Sequence, residues 1–224
     1  MLYKIGASLA CADQLNLSKD LKLLIKAGID FIHIDIMDGV YVKNYCFGTQ
    51  ILEYLKKIKN IKIDIHLMVG DPFEKIDFFK DKFFHRLSFH IEACKNPIQT
   101  LNKIKKMGKE GGICLNSTTH ENSIFYIYEF VDYITIMAVE AGFVGQNFIP
   151  SSIEKIKKIR QELNKRKMDK DIIVDGHIDK DTIPKLSIAG ANVFVGGSSG
   201  LFTNGHSIEQ NLKILKESII YGKP

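Results

Sequence analysis

Residues 30–40 read DFIHIDIMDGV and residues 61–70 read IKIDIHLMVG. In the first stretch Ile32, Ile34 and Ile36 alternate with His33, Asp35 and Met37, so an extended chain puts the isoleucines on one face and the other three on the opposite face. The second stretch does the same, with Ile63, Ile65 and Leu67 on one side and Asp64, His66 and Met68 on the other. Strands that are oily on one side and ionisable on the other suit the wall of a closed parallel barrel. There the outer face packs against helices and must be apolar, while the inner face points into the interior.

The remainder of the chain carries the same unit. Strand-like runs are predicted at 4–9, 30–36, 61–67, 84–90, 111–115, 131–136, 171–175 and 192–195. Helical patterns fill the gaps: NLSKDLKLLIKAG, TQILEYLKKIK, PFEKIDFFKD, NPIQTLNKIKKMG, ENSIFYIYEF, SSIEKIKKIRQELNKRK, KDTIPKLSIAG and SIEQNLKILKESIIYG. Several close on Gly28, Gly108 or Gly190, where a left-handed cap is easiest. Eight such units with no linker or low-complexity tract predict one α/β domain over residues 1–224, a single-domain (β/α)8 TIM barrel rather than an open doubly wound sheet. No GxGxxG fingerprint opens a helix after the first strand.

Composition agrees with a globular chain and narrows its partners. With 224 residues, 45% hydrophobic and 25% charged, there are enough apolar side chains for one large core. No stretch of eighteen apolar residues and no basic segment leading into an apolar run predict a cytoplasmic address without membrane insertion. Cys11, Cys46, Cys94 and Cys114 stand far apart with no CxxC pair, which fits reduced, individually packed thiols. The net charge of +5 comes from lysines at the spacing of solvated helix faces. No aromatic-interleaved basic stripe accompanies them, so no nucleic-acid partner is expected, while a mildly cationic surface favours anionic metabolites.

Inward positions near the C-terminal ends of barrel strands reach the mouth where such folds do chemistry. Here they are Ser8, His33, Asp35, His66, His90, Asn116 just past the fifth strand, and Asp175. Residues two apart on a strand point the same way about 6.5 Å apart, so His33 and Asp35 can reach one ion. His66 matches their level on the next strand, and Asp175 faces them across the mouth, giving a two-histidine, two-carboxylate shell for a divalent metal. Each of these residues alone reads better as a satisfied interior, loop or cap group; the shared parity and position of all four favour the shell. Met37, Met68 and Met137 share the same strand ends, as core packing or as a soft lining over the ion. Glycine-rich turns at the ends of strands six, seven and eight offer backbone amides to a phosphate, with Gly176, Gly197 and Ser198 foremost and Gly142 to Gly145, including Phe143 and Val144, as a covering loop.

The segments HIDIMDG, DIHLMV, FHIEA, VEAGFVGQNFIP and VDGHI, in this order along nearly the whole chain, closely resemble the ribulose-phosphate 3-epimerase family of the pentose phosphate pathway. The resemblance implies a ribulose-phosphate-binding TIM barrel that interconverts D-ribulose 5-phosphate and D-xylulose 5-phosphate. It implies one divalent metal ion per subunit on His33, Asp35, His66 and Asp175, zinc first, with manganese, iron or cobalt as alternatives. Asp35 and Asp175 would be the acid and base, Ser8, His66 and the three methionines would contact a phosphorylated ketopentose, and the glycine loops together with His177 would take its phosphate. Family members are often homo-oligomers. This chain departs from the family pattern at Ala141, Val144 and His177, around Ser199, and after Asn116, all on the phosphate side.

Two rivals share the barrel. A Schiff-base aldolase needs a lysine at an inward strand end, and Lys4, inward by parity, sits at the wrong end of its strand. A non-catalytic phosphosugar-binding protein would keep the barrel and use the metal structurally; four protein ligands alone do not separate it from an enzyme, and the two apposed aspartates favour catalysis.

Overall fold

The computed structural model describes residues 2–58 and 60–220. Met1, Lys59 and residues 221–224 lie outside the described residues, and with them the ends of the expected 1–224 domain and the last two residues of the expected final helix. Among the described residues, eight parallel strands appear where alternation predicts them: β1 (Lys4–Ser8), β2 (Phe31–Asp38), β3 (Lys62–Met68), β4 (Arg86–His90), β5 (Glu110–Leu115), β6 (Tyr133–Met137), β7 (Asp171–Asp175) and β8 (Val193–Gly196). Each pairs with the next, and β1 pairs with both β2 and β8, so the sheet closes into a barrel. Helices α1 (Leu17–Ala27), α2 (Gln50–Leu55), α3 (Pro72–Lys75), α4 (Pro97–Lys106), α5 (Ser151–Lys165), α6 (Ile183–Ala189) and α7 (Ile208–Glu217) follow the strands, making a (β/α)8 TIM barrel.

Two local differences from the sequence reading bear on the site. The helix expected over ENSIFYIYEF is a short 3₁₀ turn, Glu121–Ile124, followed by turns. Ile124, Ile127 and Tyr128 are still buried, so the segment packs as a helix would, but its β-branched and aromatic residues do not sustain one. Between β2 and α2, Tyr45–Cys46 pairs antiparallel with Met37 and Asp38, folding the loop back over the barrel mouth.

The alternation divides the core into two parts. Ile32, Ile34, Ile63, Ile65 and Leu67 join the large outer cluster between barrel and helices. Inside, Phe31, Tyr133, Ile173, Val193 and Val195 form a separate cluster. The Arg86 guanidinium lies against the rings of Phe31 and Tyr133, 4.4 and 5.0 Å from their centroids. Gly112 leaves the space for this layer, because a Cβ there would fall 2.4 Å from the Tyr133 ring. The apolar base therefore fills the barrel below the polar residues, which are left at the opposite end.

Candidate active site

Register builds the site before any side chain is considered. β1 to β2 pairing sets Ser8 beside His33; β2 to β3 sets His33 beside Asp64, Asp35 beside His66 and Met37 beside Met68. β6 to β7 sets Met137 beside Asp175. The closed sheet then carries Asp175 round to face the β2 and β3 residues.

His33 Nε2 lies 3.4 Å from Asp35 Oδ1 and 3.6 Å from Asp175 Oδ2. His66 Nδ1 lies 3.4 and 3.3 Å from the same two oxygens. These separations are long for hydrogen bonds, and both imidazole nitrogens are buried without a hydrogen-bond partner. For a four-coordinate ion with ligands at about 2.0–2.2 Å, tetrahedral geometry puts the ligand atoms about 3.3–3.6 Å apart. The four atoms thus stand where the edges of such a shell would fall, and the two orphaned nitrogens fit a metal ion. A second group, His66, His90 and Cys114, also brings its ligand atoms within 4.8 Å of one another. There, however, His66 Nε2 and His90 Nε2 are 3.0 Å apart and satisfy each other.

With only protein groups present, burial works against charge on every member of the shell, yet opposite charges win. Burial opposes ionisation of Asp35, but His33 and His66 pull its carboxyl far below the ordinary range. Asp175 is lowered against burial by the same two histidines. The histidines are raised in turn: burial opposes protonation of His33 but Asp35 and Asp64 outweigh it, and for His66 Cys114, Asp175 and Asp35 do so. This is a site organised around positive charge.

The rest of the shell is held from behind and from above. His33 Nδ1 is 2.6 Å from Asp64 Oδ2, and Arg86 Nε is 2.9 Å from Asp64 Oδ1. The Ser8 hydroxyl donates to Asp35 Oδ2 at 2.6 Å, so the second oxygen of Asp35 is shared with a serine. Asp175, whose side chain is 14% exposed, faces the mouth.

Above lies a cavity of about 410 Å³. Ser8, Asp35, Met37, Met68, Met137 and Asp175 line it, as do Gly142, Phe143, Val144, Gly145, Gly176, His177, Gly197 and Ser198. His33 and His66 sit fully buried beneath it. His177 takes a left-handed backbone, φ 50°, and its Nδ1 donates to the Gln146 carbonyl at 2.8 Å, tying the β7 turn to the covering loop. Asn116 instead bonds Glu140 and stays outside the cavity wall. Sequence reasoning did not assign roles to Asp64, Arg86, Cys11, Cys46 or Gln146; the first two share the inward parity that could have found them, whereas the loop residues carry no periodic signal. Lys4 pairs with Asp171 at 3.0 Å at the opposite end of the barrel, far from where a Schiff-base lysine would have to stand.

Comparison with known proteins points the same way. The ribulose-phosphate 3 epimerase family matches residues 4–202. A ribulose-phosphate 3-epimerase of Methanocaldococcus jannaschii is 38% identical over 200 residues, covering 88% of this chain and 84% of that protein. One from Bacillus subtilis is 36% identical, covering 88% and 92%, and one from Buchnera aphidicola subsp. Acyrthosiphon pisum is 39% identical, covering 89% and 88%. Among solved structures, phosphoribosyl anthranilate isomerase from Thermus thermophilus superposes with a TM-score of 0.66 over 96% of this chain and 97% of that one, at 9% identity. That likeness concerns the barrel alone.

Proposed function

We propose how this chain, which belongs to the ribulose-phosphate 3-epimerase family, carries out the family's reaction with its own residues. The chain is an isomerase that interconverts D-ribulose 5-phosphate and D-xylulose 5-phosphate by inverting C3. The observation that carries the mechanism is the convergence of two partnerless buried imidazole nitrogens on two carboxylates at 3.3–3.6 Å, directly beneath the cavity.

Inverting a carbon beside a ketone requires removing its proton on one face and returning one on the other. Asp35, on β2, and Asp175, on β7, come from well-separated strands and both line the cavity, so a planar intermediate between them is reached from both sides. Asp35 takes the proton from ribulose 5-phosphate and Asp175 returns one; the roles exchange in reverse. Ser8 holds Asp35 Oδ2 toward the cavity while leaving that oxygen a second lone pair for the proton. A positioned base of this kind supplies about 10²–10⁴ in rate. His33, Asp35, His66 and Asp175 would hold the divalent ion, and when bound it supplies Lewis-acid stabilisation of the charge that develops on the enediolate oxygens, several kcal/mol. Zinc suits two imidazoles and two carboxylates, and manganese, iron or cobalt can replace it.

Met37, Met68 and Met137 line the reacting end of the cavity and keep it poor in competing proton donors. Gly176, His177, Gly197 and Ser198 form the phosphate cradle under the loop from Gly142 to Gly145. A cytoplasmic address and a homo-oligomer belong to the same proposal. The test is a coupled assay with D-ribulose 5-phosphate on protein purified without chelator, together with metal analysis: turnover with about one ion per chain supports the reading, and no turnover refutes it.

A further inference from the structure

His66 turns Nδ1 toward Asp35 and Asp175, which leaves Nε2 inside the barrel wall, 3.0 Å from His90 Nε2. Both rings are fully buried. Two imidazole nitrogens at this distance share one proton, and the neighbours of His90 decide which ring carries it. His90 Nδ1 lies 2.8 Å from Tyr41 Oη and 3.2 Å from Glu92 Oε2, and Tyr41 donates its own hydroxyl proton to Glu92 Oε2 at 3.4 Å. Glu92 is a carboxylate, acceptor only, fixed at Oε1 by the Asn116 amide at 2.8 Å and by the Thr119 hydroxyl. With Tyr41 Oη donating to the carboxylate, it accepts from His90, so His90 Nδ1 carries a proton. An ion on His66 Nδ1 leaves that ring's proton on Nε2, which donates to His90 Nε2, the bare nitrogen of a ring protonated at Nδ1. The only lone pair left on His66 is at Nδ1.

We propose that Tyr41, His90 and Glu92 form a positioning relay that locks His66 in its Nε2–H tautomer and so presents Nδ1 to the ion. The arrangement is the counterpart of Asp64 behind His33, but built through a second imidazole rather than a direct carboxylate. Outer partners of metal-bound histidines act in this way, fixing tautomer and ring orientation. None of the three relay residues lines the cavity, so they are positioning residues and not catalytic ones. The inference rests on the metal reading above.

The test uses the whole protein loaded with cobalt(II), whose visible bands report ligand geometry. His90→Leu removes the acceptor; it should raise the rate of cobalt loss to a chelator about 10–100-fold and shift the visible bands. His90→Gln, which keeps an acceptor oxygen, should recover part of both. Glu92→Gln, a smaller change at a residue nearer the surface, should move both in the same direction by a few-fold and keeps the test alive where His90→Leu fails to fold. Wild-type release rates and spectra in the folded variants overturn the relay while leaving the metal reading standing; a lowered apo melting temperature with an unchanged cobalt spectrum means packing only and also overturns it. No cobalt uptake by the wild type at this site overturns both.

Discussion

His33 and Asp64 stand side by side on adjacent strands, and the imidazole Nδ1 meets the carboxylate Oδ2 at 2.6 Å with both side chains 1% exposed. That bond fixes the proton on Nδ1 and aims Nε2 at Asp35 and Asp175. Asp64 also neutralises Arg86, which lies against two aromatic rings at the barrel base. Asp64→Asn should therefore weaken metal binding about 10–100-fold and, by leaving a buried guanidinium without its counter-charge, cost about 3–5 kcal/mol of stability. Chelator competition and denaturant titration of the same variant read the two effects separately.

The same carboxylate predicts a pH dependence. Burial opposes its ionisation, but Arg86 and His33 lower it from 3.8 to about 2. A depressed carboxylate gives stability that is present in full above pH 3.8 and lost as pH falls through about 2. For this group alone the loss between pH 5 and pH 2 is about 2 kcal/mol. Denaturant midpoints of the metal-free wild type should fall across that window, and those of Asp64→Asn should fall less.

The two apposed carboxylates should separate when one is disabled. Asp175→Asn should abolish epimerisation, a loss of at least about 10²–10⁴ in kcat, while ribulose 5-phosphate still exchanges its C3 proton for solvent deuterium through Asp35. Near-normal turnover would refute the assignment of Asp175.

Metal removal gives a further test. Dialysis against a strong chelator should abolish turnover, and stoichiometric zinc, manganese or cobalt should restore it. The chelated protein should also melt earlier, because an ion that binds only the folded chain stabilises it. Activity that survives with less than a tenth of an ion per chain would rule out the metal-assisted route.

Phosphate capture is testable at Gly197. A Cβ there would lie 3.1 Å from Cys11 Sγ, at the wall of the cavity. Gly197→Ala should raise KM for the sugar phosphate about tenfold or more and leave kcat within a few-fold, since the carboxylates are untouched. An unchanged KM would move the phosphate elsewhere.

Much of this was legible in the chain itself. The period-two alternation of Ile32, Ile34 and Ile36 with His33 and Asp35 fixed which side chains face the barrel interior, because successive residues of a strand point to opposite sides whatever surrounds them. The count of βα units pointed to the closed sheet, and the strand-end positions of His33, Asp35, His66 and Asp175 picked out four residues whose ligand atoms converge. Where propensity and packing disagreed, as in ENSIFYIYEF, the pattern predicted burial correctly and helix wrongly.

Tertiary structure decided the rest. Alternation says that Asp64 and His66 face inward, but only register puts Asp64 beside His33 and Asp35 beside His66. Only closure of the sheet carries Asp175, some 140 residues downstream of Asp35, to within 3.6 Å of His33. The partners that set each imidazole's tautomer lie on segments other than its own, Asp64 on β3 for His33 on β2, and His90 on β4 with Glu92 just past it for His66 on β3. Their roles depend on distances of a few tenths of an ångström between segments remote in sequence, and local periodicity holds no information about those distances.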